Sequence, residues 1–463
     1  MELRGQVLRG GAFLIFRQGL GILLSFVGIA LLLRAIGPRE YGLYAAVLGL
    51  YTYLLNLGQL GIGVYLVRRK GKTHVQDFQQ AFSLLLVLGV GTALLAVASL
   101  PLLGRWLAIE GLATVALSVF AGLPLGLLTV PFSAYLEREL KYREVALVEV
   151  GGQVIYYLVA LPLAYRDFGV WAPVLGWWSQ LLFTFWGLRR AAPIPFHWFW
   201  DWAKVKDMVS YGLSFSSSMW VWQLRGLVTP LIVGRYLGPE AVGYVNLAVR
   251  LVESLGFVKA ATWRISIAAF AKVQNDKGRL ARAIVEASEL QVLAVGLPLL
   301  GFALVGPWLM PKLFGTVWIP AISLFPFVAV GYLVNAVFNM HSSVLYVLQR
   351  NWDVTVFHLV HVGIFALVAW LGVSKLGLWG YGWAELAALL SYAVVYARTV
   401  RNIGPFDQRI AMLWAFLVGL ALFWYILGFW ALLPLLGLFL VPSSRSKVWK
   451  LGRQVMAGIK LTF

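Results

Sequence analysis

The 463-residue chain contains no cysteine. That excludes disulfides, thiolate metal sites and cysteine nucleophiles. Charge is scarce as well: 12% of residues are Asp, Glu, Lys or Arg, with 19 acidic against 38 basic. The five histidines form no cluster with carboxylates at ligand spacing, so no metal and no cofactor is expected. Alternating ten-residue segments of the kind that build a membrane β-barrel are absent. Polar insertions large enough for an extracellular catalytic domain are also lacking, so the chain does not read as an enzyme.

Apolar sequence fills the space. Hydrophobic residues make up 61% of the chain, mean hydropathy is +0.81, and runs of twenty or more recur along its length. A helix needs about 20 such residues to cross a hydrocarbon core of roughly 30 Å. The expected class is an all-α polytopic membrane protein. Its first apolar stretch, 11–36, exceeds the core of a secretory signal peptide and reads as the first span.

About fourteen spans can be drawn. The first six are 11–36, 41–67, 80–104, 111–136, 145–165 and 169–188. Six more follow at 208–234, 240–263, 284–306, 318–346, 353–374 and 378–397, and a short last pair at 410–426 and 428–442. With the N-terminus inside, 27 of the 38 basic residues fall in inner segments and 7 in outer loops. Cytoplasmic loops collect Lys and Arg, so both termini are expected in the cytoplasm. The net charge of +19 then reflects loop placement; membrane lipids are the expected surroundings, and no nucleic acid is expected as a partner.

One phrase occurs twice. Arg34-Ala35-Ile36-Gly37-Pro38-Arg39-Glu40-Tyr41-Gly42 recurs as Arg235-Tyr236-Leu237-Gly238-Pro239-Glu240-Ala241-Val242-Gly243, 201 positions later. Arg, Gly, Pro and Gly keep their register, and each copy joins one long apolar segment to the next. Both copies start from the same side, which describes parallel repeats about an axis along the membrane normal. The expected organisation is an N-terminal six-helix lobe (1–190), an interfacial linker (191–207), a second six-helix lobe (208–402), and two extra helices with a basic tail (403–463). A central cavity would lie between the lobes. The linker run Phe196-His197-Trp198-Phe199-Trp200-Asp201-Trp202 reads as an aromatic belt at the headgroups. The twin Gly-Pro turns read as tight structural caps on the outer side.

Ionisable groups within spans are costly and usually face a cavity or a partner. Four basic residues are so placed: Arg17, Arg225, Arg250 and Lys259. Arg225 has no carboxylate near it in sequence and is read as cavity-facing. For Arg250 two readings stand, a cavity role or an intrahelical pair with Glu253 three positions on. Arg17 and Lys259 lie close enough to helix ends to snorkel. A desolvated guanidinium presents a planar fork suited to phosphate oxygens. Glu149 and Glu385, with Glu253, are candidates for ion coupling or for simple pairing with a neighbouring helix. His358 and His361 share a helical face and could sense protons or merely pack.

The stretch Leu31-Leu32-Leu33-Arg34 through Gly42-Leu43-Tyr44 resembles the N-terminal signature of bacterial polysaccharide (oligosaccharide) flippases, of the O-antigen type. Asn56-Leu57-Gly58-Gln59-Leu60-Gly61 is similar to that family's Asp-Leu-Gly segment, with Asn56 in the acidic position. Leu136 to Arg143 and Phe168 to Ala172 look like the branch that exports colanic- or teichuronic-acid-like units, and Gly234 to Asp276 resembles the second-half signature. The resemblance implies the multidrug/oligosaccharidyl-lipid/polysaccharide exporter fold, with two six-helix lobes around a cavity and alternating access. It further implies undecaprenyl-diphosphate-linked oligosaccharide as substrate, glycan polymerase or ligase machinery as neighbours, and Arg17, Arg225 and Arg250 as the cationic cavity. The two extra C-terminal spans look like those of the lipid II flippases.

Two alternatives follow from the same residues. A cation-coupled multidrug exporter of this fold would prefer carboxylates in its cavity, where this chain has arginines. A membrane-embedded glycan polymerase or ligase would carry a large outer loop.

Overall fold

The computed structural model describes residues 2–69, 75–195, 197–442 and 444–447. It contains helices and no strand among them. Two compact units divide the chain, Met1–Gly243 and Tyr244–Phe463.

The first unit is built from α1 (Glu2–Gln59), α2 (Ile62–Arg68), α3 (Val75–Leu107), α4 (Leu112–Phe120), α5 (Leu123–Arg138), α6 (Tyr142–Ala164), α7 (Trp171–Ala191), α8 (Trp202–Val228) and the start of α9 (Gly234–Leu255). Helices α6 and α7 pair along their length, α1 lies on α6, and α3 lies on α5. One core layer joins Ile62, Leu66, Phe78, Leu85, Leu127 and Met208; a second joins Phe82, Phe132, Leu136, Phe185 and Leu188. The outward faces remain apolar. Leu94 and Leu95 of α3 and Leu158 of α6 are 66%, 73% and 67% exposed, an arrangement that lipid tolerates and water does not.

The second unit takes in the rest of α9, then α10 (Val258–Lys272), α11 (Lys277–Phe314), α12 (Ile319–Val347), α13 (Asn351–Leu376), α14 (Leu378–Ala388), α15 (Tyr392–Ile403), α16 (Arg409–Leu422), α17 (Trp424–Leu427) and α18 (Gly437–Leu440). Asp276 starts α11 as an N-cap, its carboxylate accepting from the Arg279 amide at 2.9 Å. Phe270, Leu280, Ile284, Met340, Val344 and Ile403 pack one end of this unit.

Among the described residues, six helices are long and apolar enough to cross a membrane, and Phe26–Gln59 with Ile62–Arg68 makes a seventh, bent by 44°. The protein is therefore a multi-pass membrane protein. Some of the remaining expected spans are interrupted, and the helix in 410–426 is apolar but short, Arg409–Leu422. Span eight is divided between α9 and α10, and span twelve between α14 and α15 by a 3-10 turn at Leu389–Ser391. The final stretch is a 3-10 helix, Phe429–Leu436, followed by the four residues of α18.

The twin phrase folds the same way twice. Gly37 adopts φ 75°, ψ 175° inside α1, and Gly238 adopts φ 78°, ψ −178° inside α9, each followed by a proline that starts the next helix. The last glycine of each copy sits against the other copy. A Cβ on Gly42 would lie 1.7 Å from the Pro239 carbonyl oxygen, and one on Gly243 would lie 2.4 Å from that of Pro38. Only glycine permits this reciprocal approach of main chain to main chain. Gly42→Ala is accordingly expected to cost about 1–3 kcal/mol through forced displacement. Gly91→Ala, in the middle of α3 with nothing within 4 Å, is expected to gain about 0.5–1 kcal/mol. Thermal unfolding of the purified variants in detergent decides it: equal midpoints would contradict the clasp.

Candidate functional site: broken helices and mid-span cations

Helices stop and restart inside several expected spans, and one such break in each unit lies beside the candidate cations. In the first, α1 ends at Gln59, and Leu60 and Gly61 take left-handed conformations (φ 47° and 62°) before α2 begins. Breaking a helix frees backbone groups that lipid cannot satisfy, and α8 supplies partners. The Trp220 indole donates to the Asn56 carbonyl at 3.1 Å, while the Asn56 amide donates to Thr52 O at 2.8 Å. Gly212 of α8 lies so close to Leu60 that a Cβ would come within 1.8 Å of its carbonyl oxygen.

Arg225 sits five residues beyond Trp220 on α8, half-buried. The helix then relaxes into a π-helical turn, Thr229–Val233. Pro230 has no amide to give to the regular ladder, and such turns accommodate the missing donor and recur at functional sites.

In the second unit α9 ends at Leu255 and α10 starts at Val258. Arg250 is half-buried on α9, and Glu253, one turn on, is exposed. Beyond the break, the Lys259 ammonium rests 4.0 Å above the Tyr332 ring. The Tyr332 hydroxyl donates to the Gly256 carbonyl at 3.1 Å, and Glu253 lies within electrostatic reach of it. Lys259, expected to snorkel, is thus held on an aromatic face beside a helix break, an arrangement that stabilises a partly desolvated cation. Sequence reasoning missed Tyr332; Gly256 inside an otherwise helical run was the available signal.

The other candidates are dispersed. Glu385 of α14 is buried, with Oε2 2.9 Å from the position of a Cβ on Gly331 of α12. Glu149 lies exposed on α6. His358 and His361 are both buried. Ser391 donates to Ala388 O at 2.7 Å, so its oxygen accepts from Nδ1 of His361 at 2.9 Å. The Arg17 side chain lies outside the described residues. No group of three His, Asp or Glu side chains that could hold a metal occurs among the described residues.

One buried carboxylate escaped the sequence reading. Asp77, in the first turn of α3, is 1% exposed and pairs with Arg69 at 2.7 Å and with Lys204 at 3.1 Å. Around it the linker is bolted down. Gln80 accepts from the Asp201 amide at 2.6 Å, Ser83 accepts from the Phe199 amide at 3.1 Å, and Tyr65 donates to Asp207. Trp198 and Trp202 remain 54% and 73% exposed, as befits aromatic residues at a membrane interface.

A family model described as "Polysaccharide biosynthesis protein" matches residues 31–323, a stretch that holds both Gly-Pro turns, both helix breaks, Arg225 and Arg250. The chain belongs to the polysaccharide biosynthesis protein family. It is 24% identical over 326 residues to the teichuronic acid biosynthesis protein TuaB of Bacillus subtilis, covering 67% of this chain and 65% of that one. It is 23% identical to the lipopolysaccharide biosynthesis protein WzxC of Escherichia coli, over 74% of this chain and 70% of the other. The match thus spans just under two thirds of TuaB. Among solved structures, a lipid II flippase MurJ in an inward closed conformation aligns with TM-score 0.73 at 12% identity, covering 96% of this chain and 99% of that one. An inward-facing multidrug transporter of the MATE family aligns with TM-score 0.65 at 16% identity, covering 82% and 94%. At these identities the likeness is one of fold.

Two stability predictions follow for this family member. Trp220→Phe leaves the Asn56 carbonyl without its donor and is expected to cost about 1–3 kcal/mol. Asp77→Ala strands Arg69 and Lys204; because both reach solvent, the expected cost is about 2–3 kcal/mol, below that of a fully buried pair. Denaturation of each variant in detergent measures the loss, and unchanged stability would dismiss the corresponding contact.

Proposed function

We propose that the protein carries undecaprenyl-diphosphate-linked oligosaccharide repeat units from the inner to the outer leaflet of the bacterial cytoplasmic membrane by alternating access. The observation that carries the reading is the pairing of family membership with half-buried arginines on α8 and α9, helices that flank chain breaks. A long glycan cannot cross hydrocarbon, so a carrier must offer polar surface for the headgroup while the prenyl tail stays in lipid. Desolvated guanidinium groups suit a diphosphate. Arg225 and Arg250 are assigned that role, with Arg17 as a third contributor and Glu253, Glu385 or Glu149 as sites of ion coupling or pairing.

The reading includes fourteen spans: two six-helix lobes (1–190 and 208–402) joined by 191–207 around a central cavity, and a C-terminal pair. Both termini are cytoplasmic, in keeping with the basic inner loops. The curated relatives are named for different glycans, so the sugar is left to experiment. In a strain deleted for the gene, Arg225→Ala and Arg250→Ala are expected to fold normally yet abolish surface glycan, with the lipid-linked oligosaccharide accumulating. Full complementation by both variants would remove the cationic site. Intact glycan together with new drug sensitivity in the deletion strain would move the chain to the drug exporters.

A further inference from the structure

The face that carries the twin Gly-Pro turns also carries a cavity of about 580 Å³, within the usual size range of small-ligand pockets. All its walls come from the first unit. One wall is Arg39 and Glu40 of the first turn; another is Arg235 and Gly238 of the second; the α3–α4 loop, with Ala108 and Glu110, completes it.

Four observations define what it could hold. The first is charge balance: two guanidinium groups face two carboxylates, and Arg39 lies 3.5 Å from Glu110. A phosphate entering here would meet both glutamates. The second is geometry. Arg and Glu are planar two-pronged groups, one purely donating and one purely accepting, and such a mixture matches adjacent hydroxyls on one ring. The Arg39 and Glu110 side chains are 68% and 92% exposed, so they are open to a ligand, while Glu40 is already fixed by the Val170 amide at 2.9 Å. The third is an aromatic ring that backs the Arg235 wall. Trp106 is 48% exposed and doubly held, donating to Leu231 O at 2.9 Å and lying under the Arg235 guanidinium at 5.5 Å. The fourth is backbone. Ala108 takes a left-handed conformation (φ 51°), uncommon for a residue with a Cβ, and such outliers concentrate at functional sites.

We propose that this cavity is a carbohydrate-binding site that engages uncharged sugar rings of the glycan, separate from the arginines assigned to the diphosphate. Arg39, Glu110 and Arg235 contact hydroxyls, and Trp106 holds the Arg235 guanidinium in place. The inference rests on the reading of the protein as a glycan carrier, and on the loop charges that put this face outside.

The test uses the full-length protein in nanodiscs of phosphatidylethanolamine and phosphatidylglycerol. Repeat-unit oligosaccharide, hydrolysed from the host's own surface polysaccharide, is titrated in by calorimetry. Saturable binding is expected, weakened about tenfold by Glu110→Ala and likewise by Arg235→Ala, and not displaced by inorganic pyrophosphate. Glu110 is exposed enough that its truncation leaves the fold intact, which thermal unfolding verifies. No binding to the unaltered protein, affinity in both variants unchanged from that of the unaltered protein, or displacement by pyrophosphate would each overturn the proposal. The assay contains no lipid diphosphate, so its outcome is independent of whether Arg225 and Arg250 hold one.

Discussion

A peptide group inside a bilayer has no water to fall back on, and this structure is organised around that constraint. Where α1 stops at Leu60 and Gly61, the carbonyl of Asn56 is met by an indole from another helix. Where α9 stops before Gly256, a tyrosine hydroxyl from α12 joins the Lys259 amide on the Gly256 carbonyl. Helix breaks at membrane depth persist only where protein or a polar cavity covers them. Arg225, Arg250 and Lys259 lie on α8, α9 and α10, helices that flank these breaks. The polar backbone and the cations need the same shelter from lipid.

The duplication contributes differently. Beside one arginine, its repeated letters are glycines and a proline whose use is steric. Gly37 and Gly238 turn the chain, and Gly42 and Gly243 let two main chains meet. The same approach leaves the side chains of Arg39 and Arg235 on the rim of one cavity. A motif that reads as two separate caps in sequence becomes one shared surface once folded.

Much of the architecture was legible because hydropathy and span length obey bilayer thickness directly. The expected stretches 80–104, 111–136, 145–165, 284–306, 318–346 and 353–374 all coincide with helices able to cross a membrane. The stretch 208–234 was seen as apolar, yet its serines, Gln223 and Arg225 keep α8 below that standard, and the Gly256 break does the same for 240–263. Polar positions and a break lower the hydropathy of these helices over any one window. Asp77 went unnoticed for a related reason. An acidic residue at a span's edge looks solvated until Arg69 and Lys204, distant in sequence, close over it. Tyr332 was equally silent, since a tyrosine in an apolar run carries no mark of the carbonyl it will meet.

The salt-bridged aspartate at the start of α3 has a mechanical consequence. It ties the short helix after the Leu60–Gly61 bend to the strap leading into α8, and the Tyr65–Asp207 contact adds a second fastening. A hinge secured in this way cannot swing by itself. Whatever reorients α2 drags the root of α8 along, so a bend near residue 60 becomes a lever on a helix that starts about 140 residues later.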